Sequence, residues 1–428
     1  MYRQFTPHED TGITSSVLTR FLRYVRYWTT SNRHEEATPS TPGQWELAKT
    51  LVQELKSLGI TDVVLTDYCY VIARIPATPG KEAYKTLAFM AHLDTADDVS
   101  GKDVQPCLVE VYDGAKIRLA GDLVLDPAQD ADLAGQKGKA IIHTDGTTLL
   151  GADDKAGIAA IMAAVEYLHS HPEQEHGPVE LIFTPDEETG KGLPEFPLSS
   201  INACACYTLD GGSLGELEVE CFNAYRAEIR CIGQPMHLGY ARGVLVNAAL
   251  MAASFAVMLP RTESPEATDG YYGYYSAMEI QGNPEQASLE VYIRDFDRAG
   301  AERRVAALDH FARAVEAQFP GGKVTVHAQA QYYNMKEKID ARPEVLEILK
   351  QAVSNLGLPY RLKPIRGGTD GSRLTELGIP SPNIFTGGRN WHSLREWVSV
   401  SEMAAAAKVV LELIRLWGAN PQAGNSVV

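Results

Sequence analysis

The sequence predicts an α/β fold: a doubly wound, mostly parallel sheet with a smaller α+β unit inserted into it. Three observations point there. Short apolar runs at residues 87–91 and 179–184 alternate with longer stretches of helical periodicity. Acidic and imidazole residues repeatedly follow the strand-like runs. From about Cys221 this alternation gives way to a different order of elements.

Taken in order, residues 16–27 and 43–58 carry helical periodicity, and residues 71–75 and 87–91 read as strands. Residues 157–169 place Ile158, Ile161, Met162, Val165 and Leu168 on one helical face, and residues 179–184 form the next strand, ending at a pair of glutamates. Beyond Cys221 come a strand-like stretch, a helix over 247–258, a strand over 289–293 and a helix over 302–318. The predicted organisation is a main domain of residues 1–220 and 334–428 with an insert of residues 221–333. In that insert Tyr271, Tyr272, Tyr274 and Tyr275 read as packing or interface residues.

Composition bounds the function. A 428-residue chain with 45% hydrophobic content can bury a large core. A net charge of -16 argues against a nucleic-acid partner, which needs clustered Lys and Arg. The N-terminal segment lacks the apolar centre of a signal peptide, and no apolar run reaches membrane-spanning length, so the expected location is cytoplasmic. The six cysteines contain no Cys-x-x-Cys and read as reduced and structural. His169, His171 and His176 read as a solvated helix terminus rather than a metal site.

The candidate chemistry lies in His92, Asp94, Asp153, Glu187, Glu188, Asp210 and His392. In an open α/β sheet the carboxyl ends of the strands converge on one crevice, so side chains far apart in sequence can meet there. Taken singly, each acid reads more readily as a turn or capping residue than as a ligand. Jointly, two imidazoles and three carboxylates suit two divalent ions, whose four positive charges the carboxylates and a bridging hydroxide would balance. Such ions activate water and polarise a carbonyl, the chemistry of amide hydrolysis. Glu187, beside Glu188, is the natural proton carrier. Arg366, ahead of Gly367-Gly368, is a candidate clamp for a peptide carboxylate.

The stretches Ala91-His92-Leu93-Asp94-Thr95, Thr147-Thr148-Leu149-Leu150-Gly151-Ala152-Asp153-Asp154-Lys155-Ala156-Gly157, Thr184-Pro185-Asp186-Glu187-Glu188, Leu209-Asp210-Gly211-Gly212, Ile293-Arg294-Asp295-Phe296-Asp297-Arg298, Ile365-Arg366-Gly367-Gly368-Thr369-Asp370-Gly371 and Phe385-Thr386-Gly387-Gly388 resemble the tripeptide aminopeptidases of the dizinc M20 metallopeptidase family. The resemblance implies that His92 and Asp210 hold one zinc, Glu188 and His392 the other, and that Asp153 bridges them; cobalt or manganese suit the same donors. It implies Glu187 as general base, Asp94 as the carboxylate behind His92, and a cis bond before Asp154. It further implies that the insert is a lid and dimerisation domain, with Arg294 touching substrate and His237 reaching the active site of a partner in a homodimer. By spacing alone, Arg294 between acidic residues reads as an ion pair. The chain departs from the family at Leu238, commonly Pro, and at Ser393-Leu394-Arg395, which bears on peptide-length preference. Two alternatives stay open: an N-acyl amino acid amidohydrolase or dipeptidase of the same fold, and a non-catalytic peptide- or metal-binding protein. Glu187 counts against the latter, because binding alone needs no spare carboxylate.

Overall fold

The computed structural model describes residues 5–190 and 193–420; residues 1–4, on which part of the leader reading rests, lie outside it. The fold is α/β, and the chain forms two compact units. The first comprises residues 1–219, 335–363 and 369–428, and the second residues 220–334 and 364–368.

The first unit is built on an eight-stranded sheet. Its centre runs Val179–Thr184, Leu87–His92, Ala205–Gly211 and Asn383–Phe385, all parallel. Antiparallel strands flank it, Val71–Ile75 on one side and Glu216–Cys221 on the other. Every residue of Leu87–His92 and of Val179–Thr184 is buried, as expected of parallel strands covered on both faces. Side chains alternate across the sheet. Leu87, Phe89 and Ala91 enter a core with the helices Pro7–Tyr24, Ala152–Ser170 and Val400–Ala419, while Ala88 and Met90 enter a second core with Tyr70, Ile182 and Leu374.

Helix Ala152–Ser170 lies unusually close to the sheet. A Cβ on Gly157 would sit 1.9 Å from the Leu209 carbonyl oxygen, so only glycine permits the approach that brings Asp153 beside the strand carrying Asp210. A separate antiparallel sheet orders Gly388–Arg389, Trp397–Ser399, Ile141–His143 and Cys107–Val109. It docks the segment after His392 against the segment before Asp153.

The second unit is a four-stranded antiparallel sheet ordered Tyr274–Gly282, Gln286–Asp295, Asn223–Ile232, Lys323–Tyr332, with helices Ala248–Met258 and Arg298–Gln318. Ile229, Met251, Phe255, Leu289, Val291 and Leu308 form its core. Tyr275 is core and Tyr274 half-buried, whereas Tyr271 and Tyr272 are exposed.

The first helix begins at Pro7, well before the predicted residue 16, because Thr6 and Glu9 form a reciprocal capping box ahead of Pro7. The predicted helix terminus at the histidine-rich segment is present at Ser170, but only His169 is exposed. His171 is half-buried and stacks on Tyr167, and His176 is buried with Nδ1 2.8 Å from the Gly177 carbonyl oxygen. None of the six cysteines is in a disulfide. Among the described residues no helix is long and apolar enough to cross a membrane.

Candidate metal centre

Strand ends carry most of the cluster. His92 closes Leu87–His92, Asp210 lies near the end of Ala205–Gly211, Glu187 and Glu188 follow Val179–Thr184, and Asp153 lies in the first turn of its helix. His392 comes from the loop after Gly388–Arg389, on a left-handed backbone with φ 56°. The peptide bond between Asp153 and Asp154 is cis.

These side chains meet in two overlapping groups. His92, Asp153 and Asp210 form one, and Asp153, Glu188 and His392 the other, with the ligand atoms of each group all within 4.8 Å of one another. Asp153 belongs to both. Its Oδ1 lies 2.9 Å from His92 Nε2 and its Oδ2 lies 3.4 Å from His392 Nε2. Asp210 Oδ1 lies 3.7 Å from His92 Nε2, and Glu188 Oε2 lies 3.1 Å from His392 Nε2.

The electrostatics without cations are those of crowded acids. Burial pushes Glu188 and Asp210 up to about 7, with Asp153 adding to both and His92 opposing. Burial alone would lower His392, but its bonds to Asp153 and Glu188 carry it up to about 12. Burial raises Glu187 well above the usual carboxylate range; the proximity of His92 opposes this and Asp210, Glu188 and Asp370 reinforce it. Glu188 Oε1 is buried with no hydrogen-bond partner. Closely packed imidazoles and carboxylates with an orphaned oxygen fit divalent cations, which would supply the missing positive charge.

A second layer holds these groups. Asp94 accepts from the backbone amides of Glu187 at 3.0 Å and Glu188 at 3.1 Å, and its Oδ1 lies 3.3 Å from His92 Nδ1. Asp98 plays the matching part for His392, 3.0 Å from Nδ1. Asp154 accepts from the His92 amide at 3.1 Å. Asp186, left-handed at φ 57°, accepts from the Ser40 amide and the Gln44 amide group, both at 2.7 Å, which fixes the turn presenting the glutamate pair. Neither Asp98 nor the Asp186 anchor is among the sequence-predicted residues. An acid a few residues past the His-x-Asp stretch was the available signal for Asp98.

His237, Arg294 and Arg366 belong to the second unit. The His237 ring accepts from the Gly239 amide at 3.2 Å, and the neighbouring Leu238 and Tyr240 are exposed. Arg294 differs from the ion pair that its spacing predicts. It donates to the carbonyls of Tyr225 and Ile293 and lies over the rings of Tyr292 and Tyr332, while Asp295 pairs with Arg304. Arg366 differs from a free carboxylate clamp. Nη1 donates to the carbonyls of Gly270 and Tyr272, Nη2 donates to the Thr268 carbonyl and hydroxyl, and the guanidinium lies over Phe222 and Tyr274.

Comparison with known proteins defines the class. The sequence matches the group described as Peptidase family M20/M25/M40 over residues 140–416, and the chain belongs to that family. At finer grain, it is 46% identical to a protein named Peptidase T from Geobacillus thermodenitrificans, over 94% of this chain and 98% of that one. Two solved structures share the fold. An aminopeptidase PepT from Bacillus cereus aligns with a TM-score of 0.71 at 23% identity, covering 95% of this chain and 99% of that one. A tripeptidase from Staphylococcus aureus gives 0.74 at 22% identity with the same coverage.

Proposed function

We propose that this chain is an aminopeptidase that removes the N-terminal residue of tripeptides at a two-ion centre, with Glu187 as general base. The observation that carries the reading is Asp153, whose two carboxylate oxygens face two different histidines. The relative named Peptidase T at 46% identity supports a peptidase, and the tripeptidase that shares the fold supports the substrate class.

In this reading His92 and Asp210 would hold one ion, Glu188 and His392 the other, and Asp153 would serve both. Zinc is the first choice, and cobalt and manganese take the same donors. When bound, the ions supply an acidified water and a polarised scissile carbonyl. Asp98 lies 3.0 Å from the far nitrogen of His392 and Asp94 lies 3.3 Å from that of His92, each placed to orient its imidazole. Glu187, turned into the site by amides that Asp94 anchors, takes a proton from the attacking water and returns it to the leaving amine.

The second unit acts as lid and dimerisation domain, and in a homodimer the partner subunit's His237 would stabilise the oxyanion. The exposed Leu238 and Tyr240 supply apolar surface for that contact. The enzyme works in the cytoplasm, where cysteines outside disulfides stay reduced, on short peptides rather than nucleic acid or membrane.

The test is Glu187→Ala. Metal content should stay near that of the unaltered chain while kcat on a tripeptide falls by about 10²–10⁴-fold. Unchanged turnover would remove Glu187 from the mechanism. Side-by-side assays of tripeptides, dipeptides and N-acetyl amino acids test the substrate class, and preference for the acetylated compounds would overturn it.

A further inference from the structure

Glu396 lies four residues beyond His392 and belongs to neither half of the metal centre. Its carboxylate is buried and accepts from four consecutive backbone amides. Oε2 receives Leu150 at 2.6 Å and Gly151 at 2.9 Å; Oε1 receives Ala152 at 2.7 Å and Asp153 at 3.3 Å. These amides open the helix Ala152–Ser170, whose N-cap residue, Gly151, has no side chain to cap it. The first amides of a helix have no partner inside it and carry partial positive charge. Glu396 supplies the missing cap from a distant segment. The pairing of Trp397–Ser399 with Ile141–His143 delivers it there, and the Thr144 amide donates to the Glu396 carbonyl at 3.3 Å.

We propose that Glu396 is a positioning residue that binds the Asp153 turn and the His392 loop into one unit, so that both halves of the metal centre form together. This rests on the ligand reading given above. Asp153 has non-helical backbone angles, φ -84° and ψ 104°, within its helix, so regular helical geometry does not set its position. Its side chain faces both histidines, and a shift of this one residue therefore moves donors away from both ions. The same chain segment that carries His392 holds that turn in place. Without the clamp, the two segments must be ordered when the ions bind, and affinity falls.

A plain structural role is separable. Glu180 is also buried and also accepts from consecutive amides, those of Asn202 and Ala203 at 3.1 Å. It lies near the start of Val179–Thr184, at the other end of that strand from the glutamate pair. Glu396→Gln places an NH2 group against backbone donors, and Glu396→Asp keeps the charge but retracts it. Both should be compared with Glu180→Gln by Zn²⁺ competition against a chromophoric chelator and by the melting temperature of the metal-free chain.

Both Glu396 variants should weaken binding of both ions by about 10–100-fold, the usual cost of losing a group that orients metal ligands. Glu180→Gln should lower the melting temperature and leave Zn²⁺ affinity unchanged. Should Glu396→Gln fail to fold, Glu396→Asp reads the same quantity. An affinity loss no larger than that of Glu180→Gln, or a loss confined to one ion, overturns the clamp. A wild-type chain that takes up no Zn²⁺, or an Asp153→Asn variant with undiminished affinity, overturns the ligand reading itself.

Discussion

In the first unit, acidic and imidazole side chains from separate strand ends turn toward one another; in the second, Arg294 and Arg366 turn toward their own backbone and neighbouring rings. The difference lies in what the surroundings provide. Parallel strands end together, so the groups just past them face a shared space and too few partners, leaving Glu188 Oε1 orphaned. The second unit is an antiparallel sheet with loops, where carbonyls and tyrosines lie within reach of a long cationic side chain.

Removing the shared residue of the first unit tests this most severely. Asp153→Ala deletes the only side chain common to both groups. It should abolish tight binding of both ions and lower kcat/KM by at least about 10³-fold, as expected when metal-activated water is lost. Elemental analysis of the purified variant checks it, and retention of either ion at full occupancy would show that the two halves are independent.

Much of this contrast can be read in the sequence, and some of it cannot. His92, Asp153, Glu188, Asp210 and His392 were legible because each follows a strand-like run or lies in a glycine-bearing loop, and their types balance two cations. The capping box of Thr6 and Glu9 was equally visible and moves the first helix to Pro7. Glu396 was not legible. Its partners are backbone amides 243 to 246 residues away, and an amide has no residue type to betray it. For Arg366, a guanidinium beside two glycines suggests a ligand, and nothing local reveals that loop 268–272 takes up both its terminal nitrogens.

Metal removal at several pH values sharpens the comparison at intermediate effect size. In the metal-free chain, burial raises Glu188 and Asp210 to about 7, above the unfolded values of about 4. A carboxylate raised on folding adds stability below its unfolded pKa, and that contribution is lost as pH climbs through the folded one. The metal-free chain should therefore lose stability between about pH 4 and 8, while bound cations compensate the same charges. The gap in melting temperature between zinc-loaded and chelator-treated protein should widen from pH 5.5 to pH 8. A constant or narrowing gap would mean that these carboxylates are not the groups the ions neutralise.

The smallest effect belongs to the second unit, and it separates the two uses of an arginine. If Arg366 serves the loop it bonds, Arg366→Ala should cost about 1.5–3 kcal/mol of stability, the range for hydrogen bonds that involve a charged group. It should then leave the ratio of kcat/KM between a free tripeptide and its C-terminal amide unchanged, because no guanidinium has been withdrawn from a carboxylate. If Arg366 instead releases Thr268, Gly270 and Tyr272 to meet substrate, stability should change little and the preference for the free acid should collapse. The four bonds and two ring contacts already in place favour the first outcome, since leaving them would cost the loop as much as a carboxylate could return.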